Sequence, residues 1–231
     1  MARSSTRPPH SPESIAAAKI RARLRVAADP ERAAGAQAYM KSAMPYYGVR
    51  VPDVRRIARV AGSDLDLQGA LAVAAELWDG ATHREERYAA IGMLRLRPVR
   101  GRLEAAALIE RFAVEGAWWD LVDELSHCVA ELHDAHPIET RDLVLRWSVD
   151  PWLWLRRLAI ISQLGRKDRV DLELLSTVIE PNLDAPEFFI RKAIGWALRE
   201  VARLQPDWVI AFAATHSLSP LTRREALKHL A

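Results

Sequence analysis

The chain of 231 residues has one cysteine, Cys128, so it cannot close an internal disulfide, and the reading fits a reducing compartment. No apolar run approaches the roughly 18 residues that a membrane span needs. Residues 1–12 are polar, carry Arg3 and Arg7, and lack the apolar stretch of an export signal, so a cytoplasmic location is expected. Glycine-rich phosphate loops are missing, which argues against nucleotide hydrolysis. Cys128, His133 and His136 have a loosely metal-like spacing but no fourth ligand, so burial of Cys128 in a helix is the simpler reading and no metal or cofactor is expected. Strand-type alternation is almost absent.

Helical periodicity fills the chain instead, with Gly and Pro as punctuation. The pattern predicts thirteen helices, near residues 12–28, 33–44, 52–61, 66–78, 84–96, 101–112, 117–132, 137–148, 151–164, 171–179, 187–204, 206–216 and 220–230. Several open on Pro at or near the first helical position, where its missing N–H costs nothing. Residues 1–12 are expected to be disordered, and residues 13–231 to form a single domain.

The net charge is only +3, and its distribution is uneven. Residues 1–28 hold six Lys/Arg against Glu13 alone, leaving 27 of the 33 bases against 29 of the 30 acids in the remainder. A nucleic-acid partner would therefore have to be bound by the arrangement of charge, not by its amount.

The helices repeat. Aligning the segments that begin at Tyr88, Arg157, Arg191 and Arg223 gives spacings of 69, 34 and 32 residues, the first being two steps whose midpoint falls at residue 122 or 123. A period of 32–35 residues with two helices per unit marks an α-solenoid of HEAT-like antiparallel helix pairs, curved around a concave groove lined by the second helices. The equivalent positions read Tyr88, Asp123, Arg157, Arg191 and Arg223. Arginines at this spacing suit a phosphate backbone, and Asp123 interrupts them. Two readings of Asp123 stay open here: a salt bridge to a neighbouring arginine, or catalysis.

Three segments carry the remaining signals. In Trp118-Trp119-Asp120-Leu121-Val122-Asp123, Trp119 and Asp123 are four apart and share a helix face, while Trp118 and Asp120 point elsewhere, as a core residue and a first-turn acid. In Phe188-Phe189-Ile190-Arg191-Lys192-Ala193-Ile194-Gly195-Trp196, Gly195 inside a helix hints at close approach by another backbone or a ligand, and Trp196 taken alone reads as core. In Trp152-Leu153-Trp154-Leu155-Arg156-Arg157, the tryptophans suit anchoring of a helix pair.

These strings, with Pro220-Leu221-x-Arg223-Arg224-Glu225-Ala226, Ala38-Tyr39-Met40-Lys41 followed by Gly48-Val49, and Glu76-Leu77-Trp78-Asp79, closely resemble the DNA alkylation repair enzymes of the AlkD-like family over residues 30–230. The resemblance implies a DNA glycosylase that removes cationic N3- or N7-alkylated purines from duplex DNA. It implies a catalytic cleft of Asp123, Trp119 and Trp196, with Arg157 and Tyr39 on the DNA. It also implies that the lesion is attacked from the backbone side while still stacked, so bulky adducts would be tolerated. Arg191, Lys192, Arg223 and Arg224 complete the expected DNA contacts. A monomer without membrane contacts is expected. The rival class is a non-catalytic helical-repeat scaffold for DNA or protein, since solenoids commonly bind rather than catalyse.

Overall fold

The computed structural model describes residues 12–230, so the expectation of disorder for residues 1–12 falls outside the described residues except at Pro12, which is the first residue of a helix. Among the described residues there are thirteen α-helices and no strand. They are α1 (Pro12–Val26), α2 (Pro30–Met40), α3 (Val51–Ala61), α4 (Leu67–Asp79), α5 (Arg84–Leu94), α6 (Ala106–Gly116), α7 (Trp119–Ala135), α8 (Pro137–Ser148), α9 (Leu153–Ile161), α10 (Leu172–Ile179), α11 (Phe188–Ala202), α12 (Pro206–Thr215) and α13 (Pro220–Ala226). Each expected helix is found, with ends displaced by a few residues. The largest shift at a start is α6, where residues 101–105 form a turn and a short 3-10 segment instead of the first helical turn. Helix α2 begins three residues earlier than the periodicity placed it. The Asp29 side chain accepts the Arg32 N–H at 3.0 Å and Pro30 takes the first turn, so capping chemistry outweighs hydrophobic pattern there.

The chain divides into two compact units at Leu108/Ile109, within α6. In the N-terminal unit α1 packs against α3, α4 and α5, and α5 packs against both α3 and α4. Ile20, Leu24, Leu77, Ile91 and Met93 are fully or almost fully buried there, each stabilising by about 2 kcal/mol relative to exposure. In the C-terminal unit α7, α9, α11 and α13 form a row of consecutive neighbours, with α8 set between α7 and α9 and α12 against α11. These are the second helices of antiparallel HEAT-like pairs, and they carry positions 123, 157, 191 and 223 of the repeat alignment.

A buried carboxylate organises the approach to α3. Glu85 has no exposed surface, and its oxygens accept the backbone N–H groups of Tyr47 (2.9 Å), Gly48 (2.7 Å) and Val49 (3.1 Å). Backbone donors in a buried loop must find acceptors, and a charged acceptor is the strongest kind. The adjacent Glu86 accepts the Tyr47 hydroxyl at 2.7 Å and pairs with Arg21 at 3.3 Å. Helix α2 buries none of its residues. It is tied to this loop by Asp29 N–H to the Tyr47 carbonyl (2.8 Å) and by Arg32 to the Gly48 carbonyl (2.9 Å).

Gly48 sits at φ +83°, and a Cβ there would lie 2.1 Å from the Asp29 carbonyl oxygen. Both the left-handed backbone and the backbone clash penalise any other residue. Gly48→Ala is expected to destabilise the protein by about 2 kcal/mol or more, read as a lowered melting temperature. An unchanged melting temperature would show that the α2–α3 loop is not tightly held.

Candidate active site

The candidate site is built on the α7–α9–α11 row. Trp118 is the N-cap residue of α7, and the helix it opens places Trp119 and Asp123 one turn apart on one face. Trp119 is half-buried, as is Trp196 on α11. Trp118 turns into an aromatic cluster, with ring centroids 5.9 Å from Trp154 and 5.5 Å from Phe189, and Trp154 and Phe189 are 5.1 Å apart. Three rings from three helices thus lock α7, α9 and α11 together, in the tilted and edge-on geometries that aromatic pairs prefer. The core role expected of Trp118 is met only in part, since it is half-buried with its ring packed on this cluster, while Trp154 is buried and Trp152 is half open to solvent.

Arg157, on α9, lies over this cluster and is only 4% exposed. Its fork closes on Asp123 in a bidentate pair, Nε to Oδ1 at 2.8 Å and Nη2 to Oδ2 at 2.9 Å, and its Nη1 donates to the Phe189 carbonyl at 2.7 Å. The guanidinium that the resemblance placed on a DNA phosphate is therefore turned inward. The salt-bridge alternative for Asp123 is realised, with Arg157 as the partner. A planar carboxylate and a planar guanidinium matched in this way form the strongest and most directional ion pair available to side chains.

Two effects compete at Asp123. Burial pushes its carboxyl above the ordinary carboxylate value of 3.8, and Asp120 and Glu124 add like charge, while the Arg157 guanidinium pulls in the opposite direction without fully offsetting them. The outcome is a carboxylate that is poorly hydrated and fixed in orientation, with 16% of its side-chain surface still open.

The other expected DNA contacts are dispersed over the C-terminal unit and partly engaged. Arg191 donates to the Pro186 carbonyl at 2.5 Å, and Arg223 to the Ala213 carbonyl at 2.6 Å. Lys192 pairs with Glu225 at 3.0 Å, and Arg199 reaches the same carboxylate at 2.6 Å. The Lys192 ammonium, helped by Arg199, holds Glu225 below the usual carboxylate range. Arg224 is exposed. Tyr39, 74% exposed, belongs to the N-terminal unit. Gly195 has the close backbone contact that its place in a helix suggested: an added Cβ would lie 2.5 Å from the Glu225 Cβ and 3.1 Å from the Thr222 carbonyl, so α13 is seated directly on α11.

Sequence reasoning missed the Phe189 carbonyl as an Arg157 acceptor and Glu225 as the hub of two cations. The first leaves no sequence signal. The second had one, since Glu225 lies within the quoted Arg223-Arg224-Glu225 string. His133, offered by spacing as a metal ligand, faces Ser162 instead, Nε2 to Oγ 3.1 Å, and among the described residues no three His, Cys, Asp or Glu side chains gather as a metal site.

Residues 20–230 match the family model described as DNA alkylation repair enzyme. The chain belongs to the DNA alkylation repair enzyme family. It is similar to a solved structure described as a predicted DNA alkylation repair enzyme from Enterococcus faecalis, with 30% identity, a TM-score of 0.74, and coverage of 88% of this chain and 97% of that one. Two structures from Streptococcus mutans share the fold at 16% identity. AlkD2 has a TM-score of 0.62 over 78% of this chain and 90% of its own. The protein smu.31 has a TM-score of 0.59 over 76% and 89%. No curated protein matches the chain. As a member of this family the protein acts in DNA alkylation repair. No helix among its described residues is long and apolar enough to cross a membrane.

Proposed function

We propose that the protein is a DNA glycosylase that hydrolyses the N-glycosidic bond of cationic alkylated purines in duplex DNA. The observation that carries the reading is the Asp123 carboxylate: desolvated, rigidly oriented by Arg157, and still open at its edge, one helical turn from Trp119. A purine alkylated at N3 or N7 already bears positive charge and leaves without being protonated. When the C1′–N bond breaks, its electron pair neutralises the purine ring and the sugar becomes an oxocarbenium-like cation. A carboxylate held beside that cation stabilises it, orients the water whose oxygen closes on C1′, and takes up the proton that this water gives up. The indoles of Trp119 and Trp196 suit a cationic nucleotide, because a ring face attracts positive charge by ~0.5–2 kcal/mol.

In this reading Arg157 is a positioning residue. It keeps Asp123 ionised despite burial and fixes the plane of its carboxylate. Contact with phosphates falls to Arg191, Lys192, Arg223 and Arg224, with Tyr39 contributing from the N-terminal unit.

The test is incubation of the purified protein with methylated duplex DNA. Release of free 7-methylguanine or 3-methyladenine is expected, unchanged by EDTA, because the leaving group needs no Lewis acid. Affinity for the duplex is expected to fall steeply with salt, as phosphate contacts dominate it. Salt-sensitive binding without base release would favour the second reading, a DNA-binding scaffold, to which the Asp123–Arg157 pair also lends itself as a purely structural clamp. Release abolished by EDTA would overturn the single-carboxylate chemistry.

A further inference from the structure

Glu225 stands against the charge of its surroundings. Helices α11 and α13 carry Arg191, Lys192, Arg199, Arg223 and Arg224, and Lys228 follows, while their acids are Glu200 and Glu225 alone. The carboxylates nearby are placed otherwise. Asp123 is held by Arg157, Glu187 by Arg156 and Glu200 by Arg203, while Asp207 is exposed in the first turn of α12. A carboxylate on a surface that meets phosphates repels its ligand, so its presence there calls for a cause.

The docking of helices, and not the cations, puts Glu225 in its place. Gly195 brings α13 close enough that the Glu225 Cβ lies 2.5 Å from where a Cβ on residue 195 would be. Thr222, itself buried, donates its hydroxyl to the Arg191 carbonyl at 3.2 Å, and its N–H is capped by the Ser219 hydroxyl at 3.1 Å. Lys192, Gly195, Trp196 and Arg199 are spaced by three or four residues and share one face of α11. Glu225 therefore lies over Gly195, with Lys192 one turn before it and Arg199 one turn after. Trp196 of the candidate site is one turn from each cation.

The two contacts are unequal. Arg199 Nη1 meets Glu225 Oε2 at 2.6 Å and its side chain is 20% exposed, whereas Lys192 Nζ meets Oε1 at 3.0 Å and is 37% exposed. An ion pair as open as the second adds little to stability. Lys192 can also leave without stranding the carboxylate, because Arg199 keeps it paired. A phosphate oxygen offers the ammonium the same charge and the same kind of acceptor as the Glu225 oxygen it gives up. Thr222 and Arg199 already clamp α13 to α11, so the fold does not require Lys192 as well.

Building on the reading that Lys192 meets DNA phosphates, we propose that Glu225 is a specificity-determining residue of that surface: in the free protein it occupies Lys192 in place of a phosphate, and a backbone phosphate arriving beside Trp196 displaces it. Arg199 stays with Glu225 throughout. Loosely placed duplex does not draw Lys192 out, so affinity for DNA in general is held down. A backbone seated closely at Trp196 does draw it out, so the contact forms where the candidate site lies.

Fluorescence anisotropy of the full-length protein with an undamaged duplex of about 20 base pairs, at salt concentrations between about 50 and 200 mM, tests the exchange. Glu225→Gln, which keeps the size and an acceptor for Arg199, is expected to tighten binding about three- to five-fold, the most that an open ion pair withholds. Lys192→Met is expected to weaken binding and to reduce the salt slope by about one, with its melting temperature nearly unchanged. Combined with Lys192→Met, Glu225→Gln is expected to change affinity less than about two-fold, because the residue through which it acts is gone. An equal gain with and without Lys192 would reduce Glu225 to long-range repulsion and overturn the proposal. So would no gain at all, or a loss of melting temperature in Lys192→Met as large as in Arg199→Met, which would make the pair a structural clamp. Should Glu225→Gln fail to fold, Lys192→Met decides: weaker binding at an unchanged melting temperature supports the exchange, and unchanged affinity overturns it. A wild-type protein that does not bind duplex in a salt-sensitive way would sink the reading of the surface and the exchange together. Salt-sensitive binding without the Lys192-dependent gain would sink the exchange alone.

Discussion

Asp123→Asn is expected to lower base release on the order of 10²-fold or more while duplex binding holds or strengthens. Asn keeps the size of the side chain and one acceptor, but it loses the charge that stabilises the cationic sugar. Removing a negative charge from a surface that meets phosphates does not weaken the complex. The ion pair with Arg157 adds the cost that the salt-bridge reading of Asp123 carried. The buried guanidinium loses its charged partner, and one of its N–H groups then faces the amide NH₂ of Asn. A loss of about 2–3 kcal/mol is expected, or roughly 4–12 °C in melting temperature for a chain of this size. A lower melting temperature follows from the structural reading of Asp123 as well, so stability does not separate the two. The rate per folded molecule does, measured well below the variant's melting temperature. A folded, DNA-binding Asp123→Asn protein that releases base at the wild-type rate would remove Asp123 from the mechanism.

Arg157→Gln provides the comparison. With the guanidinium gone, the lowering influence on Asp123 disappears while its burial remains, so the carboxyl rises further. Base release requires the ionised form and falls as pH drops through that value. The acid limb of the pH–rate profile is expected to move upward in Arg157→Gln, with partial recovery at higher pH. Binding at low salt is expected to change little, because the side chain is spent on Asp123 and the Phe189 carbonyl and not on solvent. A merely structural arginine would lower stability without moving the pH limb.

The parts of this molecule that follow local rules were legible in the sequence. Apolar periodicity and prolines at helix starts gave all thirteen helices, and the 32–35-residue repeat gave the α7–α9–α11–α13 row with Asp123 and Arg157 in equivalent places. What was not legible is where long polar side chains end. Arg157 can reach outward or inward from the same backbone position, and the choice is made by a carboxylate 34 residues earlier and a carbonyl 32 residues later. Glu85 shows the same limit. Glu85, in the charged first turn of α5, is fully buried because a loop 36–38 residues upstream needs an acceptor for its N–H groups. The cue lay in the loop itself, a glycine-containing segment between helices with no donors placed in a helix.

Mild acid is expected to destabilise the protein well before its carboxylates are protonated, and His133 is the cause. Its imidazole is 3% exposed and meets the Ser162 hydroxyl, with Asp134 next to it on α7 and with Arg166 and Asp171 acting on it from the segment that follows α9. Burial, reinforced by the positive charge of Arg166, outweighs Asp134 and Asp171 and lowers its pKa from the ordinary 6.5 to about 4. The folded state therefore holds His133 neutral in a range where the unfolded chain has already taken up the proton. Stability is full above pH 6.5, declines as pH falls from 6.5 to about 4, and gains no further loss from this group below that. The whole interval amounts to about 3 kcal/mol at 1.36 kcal/mol per unit. Asp134, Glu187 and Glu225, whose values are lowered, act in the opposite window: their stabilisation is present above the ordinary carboxylate value and disappears only below it. Urea unfolding at a series of pH values between 4.5 and 7 isolates the histidine contribution. His133→Gln, which retains a partner for Ser162 but does not titrate, is expected to flatten that slope. A wild-type stability that is constant from pH 7 to 5, or an NMR titration of the His133 ring with its midpoint near 6.5, would show that the imidazole is not held neutral by the fold.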